Sequence, residues 1–323
     1  MSGLDRKSAS ALKGNGKMRL LVVGAGSTGG YFGGRLAQAG RDVTFLVRPR
    51  REAQLREGGL QIVSPHGDVT VKPKLVTTDA IDGPYDAVLL AVKAYSLDAA
   101  TGDFAAAVGP ATMIMPVLNG MRHVDILEER FGKEAVVGGV CKVATTIDAV
   151  GRIVQLAQFQ ELAYGERDGS VSSRMQELDT FMQGAGFDAR LSQSIDYEMW
   201  EKWVMLATIG GITCLMRGNI GEVVAAPGGA SFILGFFDEV ISVVSAVGQA
   251  PKTAFVEAAR KTLTTPGSTQ APSMFRDLQQ GAPIEADQII GDLLARGGKA
   301  GLKTPLLATA YAHMSVYQRR IGG

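Results

Sequence analysis

The sequence predicts an α/β chain in two parts, a parallel-sheet half followed by an all-helical half. Three observations carry this. An apolar run without alternation, Leu20-Leu21-Val22-Val23, ends in Gly24-Ala25-Gly26-Ser27-Thr28-Gly29, the spacing Gly-x-Gly-x-x-Gly. A helix-like stretch (residues 31–39) and a second apolar strand (42–47) follow directly. From residue 194 onward every periodic segment reads as helix. Strand, glycine turn, helix and strand within about 30 residues mark a dinucleotide-binding unit of Rossmann type. A mixed α/β half followed by helices alone marks a second, helical domain.

Each element has its reason. Residues 20–23 suit a strand buried on both faces of a parallel sheet. Gly24 permits the tight turn, Gly26 lets the backbone approach a pyrophosphate, and Gly29 lets the helix pack closely on the strand. Ala25, Ser27 and Thr28 complete a loop whose N–H groups, with the helix dipole, face the phosphates. The second strand ends Val47-Arg48-Pro49-Arg50-Arg51, without the carboxylate that usually binds the ribose 2′-hydroxyl of NAD. A guanidinium fork suits a phosphate. The reading is therefore NADP, with Arg48 as the main 2′-phosphate contact and Arg50 and Arg51 as lesser candidates. For one or two of the three, a solvated basic start to the next helix remains the alternative.

A hairpin is expected from residues 60–63 and 69–71 around the turn signal Pro65-His66-Gly67-Asp68. Residues 85–92 and 113–118 read as buried strands, and 96–107 and 123–131 as helices. Residues 135–146, 152–156, 161–165 and 187–191 read as further strands. Helices are expected over 195–216, 229–247, 251–263, 273–280, 284–296 and 304–319. The domains are then 18–193 and 194–323, with substrate in the cleft beyond the C-terminal ends of the sheet strands. Residues 1–17, polar and rich in Gly, Ser and Lys, read as a disordered leader with no signal-peptide core.

Bulk properties exclude several classes. The net charge is +1, which gives no electrostatic case for nucleic acid or an anionic membrane. The longest apolar run, near 204–216, is shorter than the roughly 20 residues needed to span a bilayer. Cys141 and Cys214 are the only cysteines and lie far apart, which fits a reducing, cytoplasmic setting rather than a disulfide framework. His66, His123 and His313 are isolated, so no metal site is expected.

Three places carry polar groups that the pattern does not need. Asn119, in Leu118-Asn119-Gly120, stands at the cleft end of an apolar strand; it reads either as a site amide or as a turn residue. Lys202 lies in the apolar segment Met199-Trp200-Glu201-Lys202-Trp203-Val204. Desolvation there would lower its pKa and suit proton donation, while a snorkelling lysine is the alternative. Ser273, after Pro272, reads as an N-cap, and Glu285 as an acid just inside the next helix.

Together these residues resemble the ketopantoate reductase (2-dehydropantoate 2-reductase) family, from about residue 18 to the C-terminus. The elements that carry the resemblance are Arg48, Leu89-Leu90-Ala91-Val92-Lys93-Ala94, Leu118-Asn119-Gly120, Trp200-Glu201-Lys202 and the block from Ser273 through Asp277 to Glu285. The resemblance implies a C-terminal domain like that of 6-phosphogluconate dehydrogenase, NADPH as cofactor, a small 2-oxo acid as substrate, and a homodimer as one assembly to test. It implies that Lys202 is the proton donor and that Glu285 binds near substrate and cofactor. It implies that Ser273 contacts the substrate carboxylate, Asn119 bridges cofactor and substrate, and Lys93 lies beside the adenosine phosphate. The implied reaction is reduction of ketopantoate to pantoate, in pantothenate and coenzyme A biosynthesis.

The departures concern substrate recognition. The family usually has asparagines four and eight residues after the lysine, where this chain has Leu206 and Gly210. Asn219-Ile220-Gly221-Glu222 also carries an inserted residue, which weakens the match of Asn219 to a substrate contact. Missing amides alter discrimination strongly. A pocket less polar at Leu206 and roomier at Gly210 is expected, with a different 2-oxo acid or a catalytically silent NADP sensor as the competing readings.

Overall fold

The computed structural model describes residues 18–322. The expected leader, residues 1–17, lies outside them. The first strand, β1 (Arg19–Val23), runs into α1 (Ser27–Gln38) and then β2 (Asp42–Leu46). After α2 (Pro49–Gly58) come β3 (Leu60–Val63), β4 (Val69–Val71) and β5 (Lys74–Val76). β6 (Ala87–Leu90), α3 (Leu97–Asp103), β7 (Met113–Pro116) and α4 (Arg122–Phe131) follow. One sheet is parallel throughout, in the order β5-β2-β1-β6-β7. This is the nucleotide-binding order, with the sheet's order reversing between β1 and β6. The absence of alternation in β1 has its cause here. Leu20 and Val22 enter the core around α1, while Leu21 and Val23 enter the core shared with α3 and α4.

The strands expected at 60–63, 69–71, 135–146 and 187–191 form, but in a second sheet that the sequence reading does not separate from the first. The hairpin β3–β4 forms as expected, but it joins β8 (Gly138–Ile147), β9 (Ile153–Gly165) and β10 (Asp188–Leu191). α5 (Ser173–Met182) packs beside β10. The two strands expected at 152–156 and 161–165 are one strand, β9, of 13 residues. Within the gap between the two expected strands Gln160 points inward, as Gln155 does in the first of them. Tyr31 Oη donates to Gln155 Oε1 at 2.8 Å and also bonds Gln160. Three further glycines explain how α1 lies between the sheets. A Cβ on Gly30 would stand 2.5 Å from Ile153 Cδ1, on Gly33 2.7 Å from Phe45 Cε1, and on Gly34 2.6 Å from Leu60 Cδ2. β5 is absent from the sequence reading because three residues are too few to show a period and, unlike β4, it is not paired across a hairpin turn signal.

The helical part starts with α6 (Ile195–Met216), 22 residues whose ends match the expectation. α7 (Ile220–Ala225), α8 (Gly229–Val247), α9 (Thr253–Leu263), α10 (Ser273–Gln279), α11 (Asp292–Lys299) and α12 (Pro305–Ile321) pack around it. The helix expected at 284–296 begins later and opens with a π-turn, Asp287–Gly291. Trp203, 1 % exposed, donates from Nε1 to Ile289 O at 2.9 Å and so ties α6 to that turn. Truncating such a side chain costs about 3–5 kcal/mol. Among the described residues α8, not 204–216, is the helix long and apolar enough to cross a bilayer. It buries Ile233, Phe236, Phe237, Val240, Val243 and Val244 against its neighbours, as a core helix does.

Candidate active site

One cleft of about 1970 Å³ runs between the parallel sheet, the β8–β9 hairpin, α6 and α10. Its first wall is the glycine loop. Gly24 has φ +100°, and a Cβ there would stand 2.8 Å from Ala91 O. A Cβ on Gly29 would lie 2.3 Å from Gly24 O, so this glycine serves packing behind the loop and does not line the cleft. Gly26 differs: nothing lies within 4 Å of its missing Cβ. The space it leaves belongs to the cleft, bordered by Ala25, Ser27 and Thr28 at the start of α1. The first-turn N–H groups there have no intrahelical acceptors. These residues fit a dinucleotide pyrophosphate.

At the end of β2, Arg48 and Arg51 line the cleft and Arg50 does not. Arg48 precedes α2 as its N-cap, and among the described residues its side chain has no hydrogen-bond partner. Arg51 donates from Nη1 to Gly151 O in the β8–β9 turn at 3.3 Å and to Gln54 Oε1 at 3.4 Å. Its Nε is buried without a partner, and burial lowers its pKa below the ordinary arginine value. Asp79 also lines this end, its carboxylate accepting from Thr77 Oγ1.

The opposite end gathers the polar groups singled out in the sequence. Lys93 pairs with Asp277 at 2.9 Å and with Glu285 at 3.8 Å. Burial works to lower the Lys93 pKa, but Glu285 and Asp277 outweigh it and hold the ammonium above its ordinary value. Glu285, 7 % exposed, accepts from Ala94 N at 3.0 Å and from Asn119 Nδ2 at 3.4 Å. One carboxylate therefore joins the loop after β6, the loop after β7 and the helical part. Glu285 stands before its helix, not inside it, and Ile289 N donates to Glu285 O at 3.0 Å. The π-turn also brings Gln288 back to the same loop, where its Nε2 donates to Asn119 O at 3.1 Å and meets His123 Nδ1 at 3.4 Å. Burial, with Lys202 adding to it, pushes the His123 pKa down to about 3, so this imidazole is neutral.

Lys202 reaches the cleft from α6 while Trp200 and Trp203 turn into the core. Its Nζ lies 3.8 Å from Cys141 Sγ on β8, and no carboxylate pairs with it among the described residues. Leu206 lines the cleft one turn further on. Gly210 does not: a Cβ there would stand 2.7 Å from Met274 Cε. The roomier pocket expected at Gly210 is therefore absent, because Met274 of α10 fills it. Ser273 lines the cleft as the first residue of α10; Pro272 is the N-cap, contrary to the expected capping role. Asn219 stands apart from the cleft lining. Its Oδ1 accepts from Glu222 N at 2.9 Å while Glu222 Oε2 accepts from Asn219 N at 2.7 Å, a capping box for α7.

Sequence reasoning assigns no role to Asp277, Cys141, Gln288 or the β8–β9 turn. Ser273 and Asp277 are four apart on a helix, and that spacing is a usable signal. The others reach the site through β-pairing and a π-turn, which leave no local trace. No group of three or more metal-ligating side chains occurs among the described residues.

Fold and site together define an oxidoreductase with a Rossmann-type parallel sheet and a helical C-terminal part. The family model for ketopantoate reductase PanE/ApbA matches residues 20–169, and that for its C-terminal part matches residues 194–318. The chain belongs to the ketopantoate reductase family. It is 34% identical over 301 residues to the uncharacterized oxidoreductase YkpB of Bacillus subtilis, covering 93% of this chain and 99% of that one. It is 27% identical over 311 residues to the 2-dehydropantoate 2-reductase of Halobacterium salinarum, covering 94% and 99%. The crystal structure of 2-dehydropantoate 2-reductase from Geobacter metallireducens superposes with a TM-score of 0.82 at 26% identity, covering 93% and 99%. A ternary structure of D-mandelate dehydrogenase with NADH and anilino(oxo)acetate gives 0.84 at 21%, covering 95% and 100%, which shows the shared fold.

Proposed function

We propose that this protein reduces a small 2-oxo acid with NADPH, ketopantoate to pantoate being the first reaction to test. The observation that carries the proposal is one cleft that joins the glycine loop to a lysine with no carboxylate partner among the described residues. Gly24 to Thr28 would hold the pyrophosphate, and Arg48 with Arg51 the 2′-phosphate. Asn119 and Glu285 would border the nicotinamide ribose end, and Lys93, which the resemblance sets beside the adenosine phosphate, is drawn to this end by its pairs with Asp277 and Glu285. Bound NADPH supplies the hydride.

The chain's own residues do the rest. Lys202 faces the cleft, and no carboxylate among the described residues neutralises it. An ammonium there polarises the substrate carbonyl, stabilises negative charge growing on its oxygen, and donates the proton that makes the hydroxyl. Glu285 anchors the β6 and β7 loops through Ala94 and Asn119, fixing the amide face that the substrate meets. Ser273, with no side-chain hydrogen bond among the described residues, offers its hydroxyl to the substrate.

Leu206 favours a second reading: a reductase of the same mechanism for a 2-oxo acid with an apolar side chain. NADPH oxidation followed by its absorbance, over a panel of 2-oxo acids that includes ketopantoate, separates the two. Preference for ketopantoate supports the first reading, and preference for apolar 2-oxo acids the second. No oxidation with any of them overturns both and leaves an NADP-binding sensor.

A further inference from the structure

Arg276 is a cation in the cleft that the mechanism above leaves unused. It lies on α10 three residues after Ser273, so both side chains project from one face of the helix. Both are half-buried and both line the cleft. Its Nη1 donates to Ala271 O at 2.8 Å, which fixes the guanidinium against the cleft wall. Its Nε and Nη2 have no partner among the described residues. The neighbouring acid, Asp277, is already paired with Lys93 at 2.9 Å.

The free edge is the one that grips carboxylates. Elsewhere in this molecule Arg174 binds Glu166 through that same edge, Nε to Oε1 at 2.7 Å and Nη2 to Oε2 at 2.6 Å. The fork is planar and matches two carboxylate oxygens at once. A guanidinium so placed, fixed on one side and open on the other, is prepared for an anion. We infer that Arg276 completes a carboxylate clamp with Ser273, whose contact the resemblance already implies. The guanidinium takes the 2-oxo acid's carboxylate side-on, and the Ser273 hydroxyl donates to it. The ligand class this selects is a free 2-oxo acid, against its ester, amide or a simple ketone.

The inference rests on the 2-oxo acid reading, and its test separates the two. Rates are measured for the fastest 2-oxo acid of the panel and for its methyl ester, in wild type, Arg276→Gln and Arg276→Lys. NADPH affinity is measured in parallel by nicotinamide fluorescence, and folding by thermal melting. Removing a charge-assisted hydrogen bond from the complex corresponds to about 10- to 150-fold. Arg276→Gln should raise KM for the acid by that factor, with kcat and NADPH affinity close to wild type. The preference for acid over ester should fall by the same factor. Arg276→Lys, which keeps the charge but not the fork, should recover part of it. If Arg276→Gln keeps the acid-over-ester preference, the clamp is overturned while the reductase stands. A parallel loss of NADPH affinity also overturns it, and moves Arg276 to the cofactor. A wild type that reduces no 2-oxo acid overturns the parent reading instead.

Discussion

Replacing Arg48 by alanine tests the cofactor reading directly. Arg48 is exposed, and its side chain has no hydrogen-bond partner among the described residues. Its backbone carbonyl accepts from Glu52 N at 3.0 Å, a bond that alanine keeps. Surface changes of this kind move stability within about 0.5 kcal/mol. The cost of Arg48→Ala must therefore fall on whatever the guanidinium binds. If that is the 2′-phosphate, the variant forgoes one charge-assisted hydrogen bond, worth about 1.5–3 kcal/mol. NADPH then binds about 10- to 150-fold more weakly. NADH, which has no phosphate there, binds as before. Arg51→Ala should cost NADPH as well, and also frees the hairpin turn from its bond to Gly151 O. Fluorescence titration of both cofactors into wild type and Arg48→Ala supplies the dissociation constants. Equal losses for NADPH and NADH would refute the assignment of Arg48 to the phosphate.

Other predictions follow from the same geometry. Lys202→Ala should lower turnover by about 10²–10⁴-fold with NADPH affinity and melting temperature near wild type; turnover that survives in steady-state assays removes Lys202 as proton donor. Leu206→Asn should shift kcat/KM toward ketopantoate, whereas Gly210→Asn should lower the melting point, since its Cβ meets Met274 Cε at 2.7 Å. Overpacking of this kind costs about 1–3 kcal/mol, and a Gly210→Asn melting curve identical to wild type contradicts it. Glu166, held by Arg174 and Ser172, has its pKa lowered below 4.5. Its stabilisation is present above that ordinary value and lost as pH falls through the lowered one. Glu166→Gln should therefore flatten the loss of stability on acidification, as read by denaturant melts across acidic pH.

The sequence by itself determined the cofactor unit and most helices, because both are local. Gly24 and Gly29 are dictated by contacts close along the chain or to the neighbouring strand, and the structure gives both the expected geometric reason, while Gly26 leaves open space facing the cleft. α6 and α8 have the expected bounds because their apolar runs extend over several turns and end at clear breaks. The order Lys93, Asn119, Lys202, Ser273, Glu285 and their gathering at one site were legible through resemblance, but the contacts among them were not. Only the tertiary structure places Glu285 against Ala94 and Asn119, from residues 191 and 166 positions apart. Gly210 marks the limit. The sequence records a missing side chain, and whether that leaves a void depends on Met274, 64 positions away by the numbering, which fills it. β9 marks it again: residues 157–160 separate two expected strands until Tyr31, brought in by α1, gives Gln160 a buried partner beside Gln155. Periodicity reports which side of an element meets the core. What stands on the other side of that contact is set by chain folding over long separations, and there the sequence is silent.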